Sequence, residues 1–347
     1  MKKIVKIEQN LVNDDERQKA TDIFYKSIVI DGCKGVALIN DTSALEKMQK
    51  SGVIAPLVSV PRNHEANFRD AVNELIIHYD WIKSNAQRAM LATSTLMIRN
   101  AKREGKVAMV FVSQNAKLIE DDLSLLDILY QLGIRIIQLT YSGRNLIGDG
   151  SAERTNCGLS KFGVDVVEEM NRIGMVIDLS HCGDVTTLDA IEVSRDPVLF
   201  THANPRSSCN NIRNKTDEQI QALSEKGGVI GLTANSFFCE IKKGVRPTIG
   251  DYITHIEYVA NLVGVDYVGI GLDISEGLTK ERYDSYRRTH PKLGYTYEFE
   301  EMFVNGMTSL NGYLRIAEGL VVRGFSNQEI EKILGGNLLR VFEKVWK

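Results

Sequence analysis

Eight short β-branched runs, separated by longer stretches of helical period, set the strongest limit on what this chain can fold into. The runs are IVIDG (28–32), VIAPLVSV (53–60), VAMVFVSQ (107–114), IRIIQLTY (134–141), MVIDLSH (175–181), PVLFTHA (197–203), GVIGLT (228–233) and YVGIGLD (267–273). Nearly continuous apolar runs mark strands buried on both faces, the pattern of a parallel sheet. Between them, segments such as NFRDAVNELIIHYDWIKSNA and KFGVDVVEEMNRIG place apolar residues at i, i+3 and i+4, the spacing of an amphipathic helix. Eight such strands alternating with helices fit an α/β fold of the (β/α)8 TIM-barrel type better than an open sheet. LNGYLRIAEGLVVRG and NQEIEKILGGNLLRVFEKVWK close the chain as helices. Length alone would allow two domains. The sequence carries no Pro- or Ser-rich linker, internal repeat or low-complexity tract, so residues 1–347 read as one barrel domain with C-terminal helices.

Composition narrows the partners. The net charge is −3 and the pI about 6.1, and no segment concentrates Lys and Arg with interleaved aromatics, so nucleic acid is not expected. The opening MKKIVKIEQNLVNDDERQ begins basic without developing an apolar core, and EKVWK at the end offers no tail for a lipid anchor. No run approaches the ~18 apolar residues of a spanning helix, so neither a signal peptide nor a membrane association is expected. The five cysteines are odd in number and scattered, which reads as reduced thiols in a cytoplasmic protein.

In a barrel of this kind chemistry belongs at the C-terminal ends of the strands, where the βα loops converge. Several strand ends carry suitable groups: Asp178-Leu-Ser-His181 on the fifth run, Thr-His202 on the sixth, Ser-Gln114-Asn115 on the third, Thr140-Tyr141 on the fourth and Leu-Asp273 on the eighth. Only six histidines exist, and two of them, His181 and His202, lie at adjacent strand ends. Neutral imidazoles there can share one zinc ion. Asp273 is then either a third ligand or the base that deprotonates a water. A lone strand-end histidine is more often a hydrogen-bonded structural residue, but two with a carboxylate favour a site. Asp178 is either a partner that orients a ligand or a buried carboxylate capping a loop. Arg213 is either a guanidinium gripping a substrate carboxylate in bidentate fashion or a surface arginine near the Thr216 helix cap.

With those residues in hand, four stretches carry a resemblance: GLSKFGVDVVEEMNRIGMVIDLSHCGD, PVLFTHANPRSSCNNIRNKTDEQIQALSEKGGVIGLT, HIEYVANLVGVDYVGIGLD and ILGGNLLRVFEKVW. Together with IVIDG and the Gln114 region, they make the chain resemble the membrane (renal) dipeptidase family of zinc amidohydrolases over most of its length. The resemblance implies a metallo-dependent hydrolase barrel, a peptidase or amidohydrolase activity, a small-molecule substrate and a homodimer. In that family two zinc ions are held by a His-x-Asp pair after the first strand, a bridging Glu after the third, and two histidines from the fifth and sixth. Position by position, the resemblance makes His181 and His202 metal ligands, Arg213 a substrate contact and Asp273 the proton carrier.

The remaining positions depart. The His-x-Asp pair is Cys33-x-Gly35, the bridging Glu is Gln114, and the fourth-strand His is Tyr141. Gly35 can ligate nothing and Gln114 is neutral, so half of the two-metal site is dismantled. One zinc per chain is therefore expected, held by His181 and His202. Cys33 either joins it as a thiolate or is a small buried filler, and Gln114 and Asp273 are further candidate ligands. Tyr141 takes the place of the missing histidine as a donor to an oxyanion, and Gln114 and Tyr141 line the substrate side with Arg213. The expected activity is hydrolysis of a small amide or dipeptide-like substrate bearing a carboxylate. The alternatives are a metal-assisted lyase or isomerase, a non-catalytic small-molecule-binding homologue, and, with less weight, a Cys33 nucleophile. Specificity is expected to lie in the loops 142–157 and 275–299, the latter a cover over the pocket or a dimer contact.

Overall fold

The computed structural model describes residues 12–35, 42–275, 278–289, 291–294, 296–307 and 312–347. The first eleven residues, part of the 275–299 loop and the start of LNGYLRIAEGLVVRG lie outside the described residues. The strands are β1 (Val29–Gly35), β2 (Val53–Ser59), β3 (Ala89–Leu91), β4 (Val107–Ser113), β5 (Ile134–Gln138), β6 (Val176–Asp178), β7 (Leu199–Phe200), β8 (Val229–Leu232), β9 (Val268–Ile270) and β10 (Ile274–Ser275). All pairings between them are parallel, in the order β10-β1-β2-β4-β5-β6-β7-β8-β9, with β3 appended to β4. The eight apolar runs of the sequence are the eight barrel positions. β9 and β10 are two halves of the last one. β9 pairs with β8 (Val268 beside Ile230) and β10 with β1 (Ile274 beside Lys34), so the interruption at 271–273 lets one strand close the ring on both neighbours.

Helices lie between the strands, each started by a local signal. Asn67 caps Phe68–Ser84 in a reciprocal box with Asp70, Ser160 caps Lys161–Ile173, and Thr216 caps Asp217–Glu225 with Gln219; each cap satisfies backbone N–H groups that the helix itself leaves open. The closing segment is not one uninterrupted helix. Asn327–Glu331 runs into a wider turn at Lys332–Gly336 before Asn337–Val345. Gly335 breaks the helical backbone there, and a Cβ on it would stand 2.2 Å from the carbonyl oxygen of Ile28, just before β1. Leu338, Val341 and Phe342 pack with Ile30, Val110 and Leu199 in one apolar cluster. No helix among the described residues is long and apolar enough to cross a membrane.

The feature that positions the site is a cluster of glycines around one carbonyl. β7 ends at Phe200, and the chain beyond it presses its Thr201 carbonyl oxygen against Gly32, Gly231 and Gly271. Cβ atoms on those glycines would stand 2.3, 2.3 and 1.8 Å from that oxygen. Such distances exclude any side chain, so glycine at all three lets residues 201 and 202 approach β1, β8 and the end of β9.

Candidate active site

The strand-end residues converge as the barrel topology requires. The His181 and His202 Nε2 atoms face each other at 3.0 Å, and both side chains are buried. Their other nitrogens are held from behind. His181 Nδ1 is 3.3 Å from Ser142 Oγ, and His202 Nδ1 is 2.8 Å from Thr201 Oγ1.

The hydrogen-bond network around Asp178 fixes the proton on His202. Asp178 Oδ1 accepts from the Ser180 amide (3.0 Å), the Ser180 hydroxyl (2.6 Å) and the Thr201 amide (3.0 Å). Its Oδ2 accepts from the Thr201 hydroxyl at 2.7 Å. Thr201 has therefore spent its only proton on the carboxylate, and its oxygen can only accept from His202. His202 thus carries its proton on Nδ1 and presents a lone pair at Nε2. Asp178 acts as an orienting carboxylate, through Thr201 and on His202. Burial pushes both imidazoles well below their usual pKa, and the Arg213 cation pushes the same way. Both rings are neutral near pH 7, the state that ligates metal.

Cys33 and Asp273 form the opposite wall. The Cys33 thiol donates to Asp273 Oδ1 at 3.4 Å, and Gln114 Nε2 lies 3.4 Å from the sulfur and donates to Ser59 Oγ at 2.6 Å. Asp273 Oδ2 accepts from Asn235 Nδ2 at 2.7 Å. Asp273 is a non-glycine residue at φ +56°, an uncommon conformation that neighbours must hold. Its amide donates to the Cys33 carbonyl (3.0 Å), and the preceding Leu272 amide donates to Asp31 Oδ1 (2.9 Å). Asp31 also accepts from Tyr313 Oη at 2.5 Å. Burial raises the Asp273 carboxyl to about 6, against the Cys33 hydrogen bond and the Arg213 charge. The Cys33 thiol is pushed well above its usual value by burial, with the Asp273 and Asp31 carboxylates acting in the same direction. Donor atoms of Cys33, His202 and Asp273 lie within 4.8 Å of one another. An imidazole, a thiol and a carboxylate are donors that zinc accepts, and His181 Nε2 stands beside this group, 3.0 Å from His202 Nε2.

Tyr141 stacks on His181 with ring centroids 4.1 Å apart, and His64 stacks on Tyr141 at the same distance. His64 has no counterpart in the strand-end reading. It lies five residues past the end of β2, in a βα loop at the same barrel face, and that loop was the signal available for it. Gln138, also unflagged by the sequence, ties three strand ends together: its side chain donates to the Gln114 and Thr140 carbonyls (2.5 and 2.9 Å) and accepts from the His181 amide (3.3 Å).

Arg213 is neither a surface residue nor a free fork. It is 1% exposed, its Nη1 donates to the Ser180 carbonyl, and its Nη2 donates to the His202 carbonyl at 2.7 Å. The guanidinium thus braces the two loops that carry the histidines. Its buried Nε–H has no acceptor among the described residues. Lys215, two residues on, is also buried, donating to the Cys182 carbonyl and Thr187 Oγ1 at 3.0 and 3.2 Å; burial lowers its pKa to about 7. In the 142–157 loop, Asp149 accepts from Arg144 Nε (2.6 Å), Thr155 Oγ1 (2.8 Å) and the Cys157 amide (2.9 Å), which pins the loop over the barrel mouth.

With this geometry in view, the family model described as membrane dipeptidase (peptidase family M19) matches residues 17–284 and 289–347. Among solved structures, an amidohydrolase from Pseudomonas aeruginosa is 34% identical with a TM-score of 0.85, covering 94% of this chain and 99% of that one. The probable dipeptidase PvdM from Pseudomonas aeruginosa is 20% identical with a TM-score of 0.79, covering 96% and 98%, and bears on the fold alone. Dipeptidase 3 from Rattus norvegicus is 31% identical over 80% of this chain, and dipeptidase tcpJ from Claviceps purpurea is 27% identical over 81%. The matched stretches span 53% and 61% of those two proteins' own lengths.

Proposed function

The chain belongs to the membrane dipeptidase family, peptidase family M19, and on that premise we propose that it is an amidohydrolase with one zinc ion per chain. Its substrate is a small amide or dipeptide-like molecule bearing a carboxylate. The observation that carries this reading is the pair of buried Nε2 atoms facing each other at 3.0 Å, with the His202 tautomer fixed by Thr201 and Asp178. Two nitrogens on one tetrahedral zinc stand roughly 3.3 Å apart, close to that spacing.

His181 and His202 would hold the ion. A zinc ion bound there supplies Lewis acidity that polarises a carbonyl and makes water easier to deprotonate. Asp273 takes the proton from the attacking water and returns it to the leaving amine. Burial raises its carboxyl to about 6 in the metal-free pocket and a dication beside it pulls that value down, so the group is ionised at neutral pH and able to accept a proton. Asn235 holds the second carboxylate oxygen and so orients the first. Tyr141, clamped between two imidazole rings, donates to the oxygen on which negative charge develops. The Nε–H of Arg213 lacks an acceptor among the described residues, and a substrate carboxylate supplies one. A buried donor left unpaired costs free energy that such a substrate relieves.

The test is hydrolysis of a dipeptide panel in oxygen-18 water, alongside metal content by mass spectrometry. About one zinc per chain, with labelled carboxylate product and both lost in His202→Ala, supports the proposal. Turnover without label would instead make the protein a lyase or isomerase. No metal after zinc addition, together with ligand-induced thermal stabilisation, would make it a binding protein. The family resemblance also supports a homodimer, which light scattering tests against the chain mass of 38.8 kDa.

A further inference from the structure

Cys33 belongs to the donor cluster but has no part in the proposed hydrolysis, and its surroundings are not those of a filler. A buried cysteine that only fills space sits among apolar groups. Cys33 is 2% exposed and meets an amide N–H from Gln114 and a carboxylate oxygen from Asp273, each at 3.4 Å. The amide is a donor aimed at sulfur, and a donor favours the thiolate over the thiol. The carboxylate is an acceptor within reach of the thiol proton. Across the pocket, His202 presents the lone pair that Thr201 leaves on Nε2.

Resting on the metallohydrolase reading, we propose that Cys33 is a thiolate ligand of the ion that His202 holds, so that the site is a mixed sulfur–nitrogen centre selective for thiophilic divalent ions. The donor atoms of Cys33, His202 and Asp273 lie within 4.8 Å of one another. Sulfur and nitrogen on one tetrahedral zinc stand roughly 3.6 Å apart, a spacing that fits inside that limit. Gln114 is neutral, so the pocket's charge balance falls to the thiolate and Asp273, whose two negative charges match one dication while Arg213 and Lys215 add positive charge nearby. Binding breaks the Cys33 S–H bond and forms a sulfur–metal bond. The thiol proton leaves by way of Asp273 to solvent, and no electron is transferred. Thiolate ligation favours zinc, cobalt and cadmium over magnesium, calcium and manganese.

The experiment is cobalt(II) loading of the metal-free full chain, followed by absorption spectroscopy and metal analysis, on the native protein and on Cys33→Ser and His202→Ala. The expected result is about one cobalt per chain with a near-ultraviolet sulfur-to-cobalt charge-transfer band. Cys33→Ser loses the band while His181 and His202 still retain cobalt with weakened affinity, and His202→Ala loses both metal and band. Cobalt bound by the native protein with no charge-transfer band would overturn the thiolate assignment and leave the imidazole-held metal standing. No cobalt bound at all would overturn both. A band that persists in Cys33→Ser would assign the sulfur to another cysteine and equally refute the inference.

Discussion

Gln114→Glu is the substitution that most directly probes how this pocket handles charge. Gln114 is 9% exposed, and its amide nitrogen donates to Ser59 Oγ at 2.6 Å and to Cys33 Sγ at 3.4 Å. Glutamate removes both donors and adds a second carboxylate beside Cys33 and Asp273. The Ser59 hydroxyl can rotate and donate instead, so the main cost is the buried charge. Asp273 gauges that cost. The same pocket lifts its carboxyl from 3.8 to about 6 even with Cys33 and Asn235 donating to it. Holding a carboxyl at about 6 rather than 3.8 corresponds to ~3 kcal/mol, and the introduced carboxylate meets the same burial plus the Asp273 charge. At ~2.1 cal/mol/K per residue of unfolding entropy, ~3 kcal/mol lowers the melting temperature by about 4 °C for a chain of this length.

The pH dependence follows from the direction of that shift. A folded-state pKa raised above the unfolded value penalises the ionised form, so the destabilisation is present in full above the folded pKa. It disappears as pH falls toward the unfolded glutamate value of about 4.3. Metal-free Gln114→Glu is therefore expected to melt about 4 °C below the native protein at pH 8 and level with it near pH 4.5. Saturating zinc should close the gap at pH 8, because a dication stabilises the added carboxylate in the folded state alone. Differential scanning fluorimetry with and without a chelator across that pH range reads all three conditions. A variant as stable as the native protein at pH 8 without metal, or a deficit indifferent to both pH and zinc, would refute the reasoning.

Three other predictions test the frame of the site. Thr201→Val removes the hydroxyl between Asp178 and His202 Nδ1 and should weaken zinc binding by about 10–100-fold in chelator competition, whereas Thr201→Ser restores it. Gly271→Ala places a Cβ 1.8 Å from the Thr201 carbonyl and should cost about 3 kcal/mol or more in urea unfolding; Gly105→Ala, at φ +67° in open space, should cost only about 1 kcal/mol. His255 is buried and donates from Nε2 to the Cys239 carbonyl at 3.0 Å, and burial lowers its pKa to about 4. Its folded value lies below the unfolded one, so stability present above pH 6.5 is lost as pH falls toward 4, by about 3 kcal/mol. His255→Gln should flatten that acid limb in melting curves at pH 7 and 4.5.

The sequence singles out the candidate residues that gather at one face but not how they are braced, and the difference is physical. The eight strands were legible because burial on both faces leaves an unbroken apolar run. His181, His202, Gln114, Tyr141 and Asp273 were legible because a parallel barrel gathers its strand ends at one face. β3 was not: Ala89–Leu91 is three residues long and is defined by pairing with β4 rather than by its own pattern. His64 escaped because its place depends on the path of a loop rather than on a strand end. Arg213 could be read either as a grip or as a surface residue, since only the fold reveals that two of its nitrogens are taken by the Ser180 and His202 carbonyls.

Gly32, Gly231 and Gly271 carry the point further. Each sits in or beside an apolar run where an isolated glycine suggests a bulge or nothing in particular. Their common purpose appears only when three strands close around the Thr201 carbonyl. That carbonyl sits directly before His202, whose imidazole is steered by the hydroxyl of the same Thr201. The residue that packs the barrel interior is thus also the residue that sets the histidine's proton. A substitution at any of the three glycines that displaces Thr201 also displaces the hydroxyl that orients His202. In this barrel stability and ligand geometry are coupled through a single residue, and a variant that folds with Gly271 replaced should show weaker metal binding before it shows any loss of secondary structure.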